Sequence, residues 1–267
     1  MSKVLITRPR KQAKIFADNL RKAGFEPIFF PVIQIRAMDD LSSLEEAMPH
    51  LDTYDWVIFT SANAVDVFFD YVIARSRNTA TKQSPSQAWR LLRSARRDRN
   101  IKIAAVGPKT EASLKSRGVT VDFVPEEYEG EAILSGLGDI EGKWIFLPRA
   151  EIARETLPQQ IIAAGGTVHE IAIYQTLPEH PDEEGLAALR AGVDVITFTS
   201  PSTVKNFLAL TMRAGIDPFN LKGNPVFACI GPITKIAAEK EGLTVSVMPE
   251  NYTVEGMVES LINQKNR

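Results

Sequence analysis

Along this chain, short and nearly unbroken apolar runs alternate with longer stretches whose apolar positions recur every three or four residues. The runs at 4–6 (VLI), 56–59 (WVIF), 144–147 (WIFL) and 195–198 (VITF) are of the first kind. They predict strands buried on both faces, and the stretches between them predict amphipathic helices. Strands alternating with helices at this spacing imply parallel sheets with helices on both faces. Two other stretches, PVIQIRA from Pro31 and HEIAIYQTLP from His169, are extended, alternating and β-branched. Both leave one α/β unit for the next, so they read as candidates for a two-stranded connector.

The pattern occurs twice. DWVIFTSANAV from Asp55 reappears as DVITFTSPSTV from Asp194, and AAVGPKTEASLKSRGVTVDFVPEEYEGE from Ala104 reappears as ACIGPITKIAAEKEGLTVSVMPENYTVE from Ala228. The second pair keeps Gly107/Gly231, Pro108/Pro232, Thr110/Thr234, Gly118/Gly242, Pro125/Pro249, Tyr128/Tyr252 and Glu131/Glu255. Solenoid periods run from roughly 20 to 50 residues, far shorter than this spacing, so the repeat reads as a duplicated domain. Two similar lobes with a cleft between them are expected. A third segment kind, a strand, a basic turn and a glycine-closed helix, begins at Lys3 and again at Lys143. The order is compatible with a boundary near residues 140–142 or with a discontinuous first lobe, and spacing does not decide between them.

Residues 75–102 stand apart. A polar loop with Pro85 leads into a basic amphipathic helix with Trp89, Leu92 and Ala95 near helical spacing, which reads as a solvated face packed through Trp89, with a phosphate-binding or membrane-docking helix as the alternative.

Composition narrows the class. With 267 residues the chain can bury two cores, and 44% hydrophobic and 24% charged residues are ordinary for a soluble globular protein. A formal charge of −2 argues against a general nucleic-acid or membrane-surface binder. No apolar run approaches the roughly 18 residues that span a bilayer. The opening MSKVLITRPR enters a strand pattern without a signal-peptide core, and the single cysteine, Cys229, excludes an intrachain disulfide. A cytoplasmic location is expected.

Ligands of parallel α/β sheets bind at the carboxyl ends of strands, where turns lead into helices, and the duplication has kept those turns. Ser61 and Asn63 follow one strand and Ser200 and Ser202 its counterpart, while Thr110 and Thr234 stand three residues after Gly107 and Gly231. Hydroxyls there cap helices, and free amides at helix starts suit anions. Each turn alone is ordinary capping; four of them in two lobes point to a ligand with many negative groups. Arg8 and Arg10, and Arg149 and Arg154, flank expected helix starts, where they pair with carboxylates or phosphates or stay solvated. Nucleotide loops of the Gly-x-Gly-x-x-Gly or Gly-x-x-x-x-Gly-Lys-Ser/Thr kind are missing, as is a Gly-x-Ser-x-Gly elbow. His50, His169 and His180 lack metal-ligand spacing, and Cys229 lies in an apolar strand where a buried thiol is expected.

With those residues in view, nearly the whole chain resembles the uroporphyrinogen-III synthase family. The resemblance is carried by ITRP at Ile6, WVIFTSANAV at Trp56, AVGPKT at Ala105, LPRAEIARETLP at Leu147, IYQTLP at Ile173, FTSPSTV at Phe198 and IGPITKIA at Ile230, in that order. It implies a cofactor-free, metal-free enzyme that converts hydroxymethylbilane to uroporphyrinogen III with loss of water. It also implies an α/β architecture of two similar parallel-sheet, flavodoxin-like, doubly wound domains. Residues 1–34 with 177–267 would form one domain and 38–172 the other, joined by antiparallel connector strands at 31–37 and 169–177. Tyr174 matches the tyrosine that the family is thought to use in assisting departure of the substrate hydroxyl. Arg8, Ser61, Asn63, Thr110, Arg149, Arg154, Ser200, Ser202 and Thr234 are the expected substrate contacts. The expected partner is the small-molecule substrate, with no nucleic acid and no membrane. A monomer is expected, with transient contact with hydroxymethylbilane synthase. Two other classes are weighed beside it: a two-lobed binder of an anionic metabolite without turnover, and a sugar-nucleotide transferase, whose glycine-rich loop is missing.

Overall fold

A computed structural model of the chain describes residues 1–78, 101–126, 130–180 and 182–265. The basic helix expected around Trp89, Leu92 and Ala95 lies outside the described residues. In chain order the strands are β1 (Ser2–Ile6), β2 (Phe25–Phe29), β3 (Ile33–Ala37), β4 (Trp56–Phe59), β5 (Lys102–Ala105), β6 (Trp144–Ala150), β7 (Thr167–Pro178), β8 (Val195–Phe198), β9 (Val226–Cys229) and β10 (Val245–Val247). The α-helices are α1 (Arg10–Lys22), α2 (Ser42–Ala47), α3 (Ala62–Asn78), α4 (Pro108–Ser116), α5 (Leu134–Leu137), α6 (Thr156–Ala163), α7 (Glu183–Ala191), α8 (Pro201–Arg213), α9 (Pro232–Lys240) and α10 (Val254–Lys265). Tertiary contacts divide the chain into two compact units, residues 1–34 with 177–267, and residues 35–176. Residues 140–142 therefore lie inside the second unit.

The first unit holds a sheet in the order β10-β9-β8-β1-β2, every neighbouring pair parallel. Successive residues of a strand face opposite sides, and the two faces of β1 show it. Leu5 joins Leu186, Leu189, Val204 and Phe207 of α7 and α8, while Val4 and Ile6 join Phe16 and Leu20 of α1 and Met257 and Leu261 of α10. Helices thus cover both faces, which is why the central runs carry no polar alternation. Two hydroxyls interrupt them: Thr7 donates to the Thr197 carbonyl at 2.6 Å and Thr197 to the Leu5 carbonyl at 3.0 Å, which satisfies both without water.

The second sheet has the order β3-β7-β6-β4-β5, with the β7/β6, β6/β4 and β4/β5 pairs parallel. β3 runs the other way along β7, since Glu179 donates its amide to the Val32 carbonyl and Met38 donates to the Ile173 carbonyl. One face carries Val57, Phe59 and Ile103 against Leu44 of α2, Phe68 and Phe69 of α3 and Leu114 of α4; the other carries Trp56, Ile58 and Ala104 against Leu137 of α5 and Leu157 and Ile161 of α6.

Two local expectations differ from the structure. Helix α3 continues to Asn78, past the point where a polar loop was expected from Arg75. Strand β6 does not stop before the Pro-Arg pair but runs through Pro148 and Arg149 to Ala150. The β4 ladder ends at Phe146, so among the described residues the last part of β6 is paired with β7 alone, where a proline is tolerated. The segment beginning at Lys3 behaves as expected: β1 ends at Ile6, α1 starts at Arg10, and Gly24 follows the helix at φ 79°.

Candidate functional site

Within each unit the parallel strands open their carboxyl ends on one edge. In the first unit the adjacent strands β1, β8 and β9 bring the turns of Arg8, Ser200/Ser202 and Gly231/Thr234 to that edge. In the second, β6, β4 and β5 bring the loop of Arg154, the turn of Ser61/Asn63 and the turn of Gly107/Thr110, and β7 adds Tyr174. The order of strands reverses between β1 and β8 in one sheet and between β4 and β6 in the other. Ligands of open α/β sheets bind outside the carboxyl ends at such a reversal.

Arg8 follows β1 at the first reversal. Its guanidinium donates to Gln12 Oε1 at 3.1 Å, while its buried Nε has no hydrogen-bond partner among the described residues. Burial lowers its pKa from the ordinary arginine value and the charge of Glu255 partly restores it. The guanidinium stays cationic, as arginines in proteins do. Arg10 instead pairs with Asp182, the N-cap of α7.

The hydroxyl turns divide into two kinds. Ser200 is the N-cap of α8 in a capping box with Thr203, and its Oγ also meets Ser202 Oγ at 2.9 Å. Ser61 Oγ accepts from the Ala64 amide at 3.1 Å at the start of α3, with Asn63 half-buried beside it in the first turn. Thr110 and Thr234, by contrast, are buried, and neither α4 nor α9 has a side-chain cap. Those two helix starts present backbone rather than hydroxyl. The paired glycines also differ: Gly107 has φ 83° and ψ 163°, whereas Gly231 is extended at φ −173° and lies under the ring of Tyr252. The kept Tyr252 was visible in the repeat, but only the fold shows what it covers. Helices α3 and α4 are tied together by Arg117 and Ser113, both donating to Asp66 Oδ1 at 2.8 and 3.1 Å.

Arg149 is 6% exposed and sits inside β6 rather than at a helix start. It pairs with Glu170 of β7 and donates to the Arg154 carbonyl, so it clamps the loop after β6, while its Nε lacks a partner among the described residues. The Arg154 residue itself is exposed. Together with Glu151, Glu155 and Glu170, Arg149 lines a cavity of about 190 Å³.

Tyr174 is the residue that the fold treats most specifically. It is 6% exposed, packs in the cluster of Phe59, Ala64 and Phe68, and its hydroxyl lies 3.0 Å from Ser61 Oγ. Both residues stand out in the sequence, but nothing in their spacing signals that they meet.

Tyr54 is hydrogen-bonded to His169 Nδ1, and burial raises the phenol's pKa. Among the described residues no three or more His, Cys, Asp or Glu side chains gather in a metal-binding group. Cys229 is fully buried in β9, and burial with the charge of Glu239 pushes its thiol up to about 12, Lys235 opposing. The thiolate is the nucleophile, so folded protein at pH 8 is expected to resist iodoacetamide for hours and to react within minutes in denaturant. Above the ordinary thiol pKa of 9.0 the unfolded chain releases this proton while the folded chain holds it, so stability contributed by Cys229 is lost as pH rises towards 12.

The geometry defines an α/β protein whose candidate chemistry stands on the carboxyl-end turns of two parallel-dominated sheets. A family model described as uroporphyrinogen-III synthase HemD matches residues 14–259. The chain belongs to the uroporphyrinogen-III synthase family. It is 30% identical over 260 residues to the uroporphyrinogen-III synthase of Synechococcus elongatus, covering 96% of this chain and 92% of that one. Its identity to the enzyme of the same name from Chlorobaculum parvum is 28% over 257 residues, 94% of each chain. Among solved structures it is similar to a mutant uroporphyrinogen III synthase of Thermus thermophilus, with TM-score 0.62 and 19% identity, covering 99% of this chain and 100% of the other. A Helicobacter pylori uroporphyrinogen-III synthetase is similar with TM-score 0.61 and 18% identity over the full length of both chains. At those identities the structures speak for the fold alone.

Proposed function

We propose that this protein closes hydroxymethylbilane to uroporphyrinogen III, with loss of water and inversion of ring D, in tetrapyrrole biosynthesis. Membership of the family along residues 14–259 carries the reading. The turns support it: a flexible bilane with eight carboxylates needs many anion contacts, and helix-start amides supply them without a large positive net charge. Arg8 at the first reversal, its Nε without a partner among the described residues, adds a charged donor for one carboxylate. Asn63, Thr110, Arg149, Arg154, Ser200, Ser202 and Thr234 complete the proposed contacts, Thr110 and Thr234 through the amides of their helix starts. The flavodoxin-like domains are read as 1–34 with 177–267, and 38–172. β3 and β7, where the chain passes from one unit to the other, are read as the connector.

In this reading Tyr174 donates its phenolic proton to the hydroxymethyl oxygen of ring A. The carbon–oxygen bond breaks, water leaves, and the pyrrole nitrogen lone pair fills the vacancy to give an azafulvenium. The substituted carbon of ring D attacks that carbon, and the spiro intermediate fragments and recloses with ring D inverted. The proton lost as the closed ring regains aromaticity returns to the phenolate, so one water is the net loss.

The direct test is to incubate the protein with hydroxymethylbilane made in situ, oxidise, and separate the isomers. A type III excess over the protein-free control is expected; type I alone defeats the proposal. Replacing Arg8 by methionine is expected to raise KM about tenfold with kcat little changed, the share of one charged hydrogen bond. An unchanged KM removes Arg8 from the contacts.

A further inference from the structure

Ser61 was expected to touch substrate, but the structure gives its hydroxyl two neighbours of its own: the Ala64 amide at 3.1 Å and the Tyr174 hydroxyl at 3.0 Å. We propose that Ser61 is a positioning residue for Tyr174, aiming the phenolic proton outward and donating to the phenolate oxygen once that proton has gone. The inference rests on the reading of Tyr174 as the proton donor given above.

Three observations carry it. The first is the amide of Ala64, which occupies one lone pair of Ser61 Oγ and so fixes where its remaining lone pair and its proton can point. With the Ser61 proton directed at Tyr174, the phenol keeps its own proton for another acceptor. After transfer the same contact becomes a charge-assisted hydrogen bond, one residue from the positive end of the 17-residue helix α3.

The second is a break in register. Along β6 and β7, Arg149 pairs with Ala172 but Ala150 pairs with Tyr174, so Ile173 is passed over. In a regular strand Tyr174 would face away from Ile171 and Ile173. The bulge instead turns it into the same cluster as both, beside Ala64 and Phe68, which is where Ser61 stands.

The third is the internal duplicate. At the equivalent turn of the first unit, Ser200 caps α8 and its hydroxyl meets Ser202. In the second unit Asn63 occupies the place of Ser202, and the serine hydroxyl meets a phenol instead. The two turns share the cap and differ in this partner.

A double-mutant cycle on the full chain tests the proposal. Ser61→Gly removes the hydroxyl yet leaves a residue that starts helices almost as well, so folding is kept. It is expected to lower kcat for type III formation about five- to tenfold with KM within about twofold, and Ser61→Thr to restore kcat to within about threefold. In a Tyr174→Phe background the same Ser61→Gly change is expected to alter kcat less than about twofold, because the two residues act as a unit. An equal fold-change in both backgrounds, an effect confined to KM, or no effect of Ser61→Gly overturns the positioning role. Absence of type III product from the unsubstituted protein would instead overturn the functional reading, so the two failures are distinguishable.

Discussion

Tyr174→Phe is expected to lower kcat for type III formation about 10²-fold, the lower end of what a positioned general acid contributes. The ring is buried among Phe59, Ala64 and Phe68, and phenylalanine keeps that packing, so the loss is confined to one hydroxyl. KM is expected to hold within about twofold, since an interaction made only in the transition state leaves ground-state binding alone. Residual type III formation is expected to persist, because holding the chain ends and ring D in one geometry is a separate contribution from proton donation. The measurement is initial rate with hydroxymethylbilane supplied in situ, with the isomers separated at each time. Kinetics equal to those of the unsubstituted protein would exclude Tyr174 from the reaction.

Gly107→Ala is expected to destabilise the second unit by about 1–3 kcal/mol, because its φ of 83° and ψ of 163° lie in a region essentially reserved for glycine. For a unit of this size each kcal/mol lowers Tm by roughly 2–4 °C, which calorimetry resolves. Gly231→Ala serves as the contrast. Its backbone is extended, a conformation any residue adopts, and an added Cβ would lie 3.3 Å from the Tyr252 ring. A loss below about 1 kcal/mol is expected there, the size of a mild packing change. Equal losses at both glycines would show that backbone strain is not what singles out Gly107.

Much of this was legible because burial on both faces leaves an unmistakable trace. The runs at 56–59 and 195–198 are apolar or nearly so because helices cover both sides of β4 and β8, and the structure buries every one of those residues. The carboxyl-end turns were legible for a related reason: helix starts after strands draw on serine, threonine, glycine and proline, and the duplication displayed them twice. The misreadings arose where neighbours decide. Pro148 and Arg149 look like a turn in isolation, but a strand with β7 on one side and no β4 ladder on the other admits them. Thr110 and Thr234 look like caps, but both are buried and neither caps its helix.

By itself, the order of residues determined the alternation of strands and helices, the doubling of that pattern and the family, since each depends on periodicity or on motifs read within a short window. The tertiary structure alone decided which polar groups meet. Ser61 and Tyr174 stand 113 positions apart and are joined by a sheet order and a one-residue bulge. No local propensity encodes either, because strand pairing and register follow from how the whole apolar surface of the unit is buried.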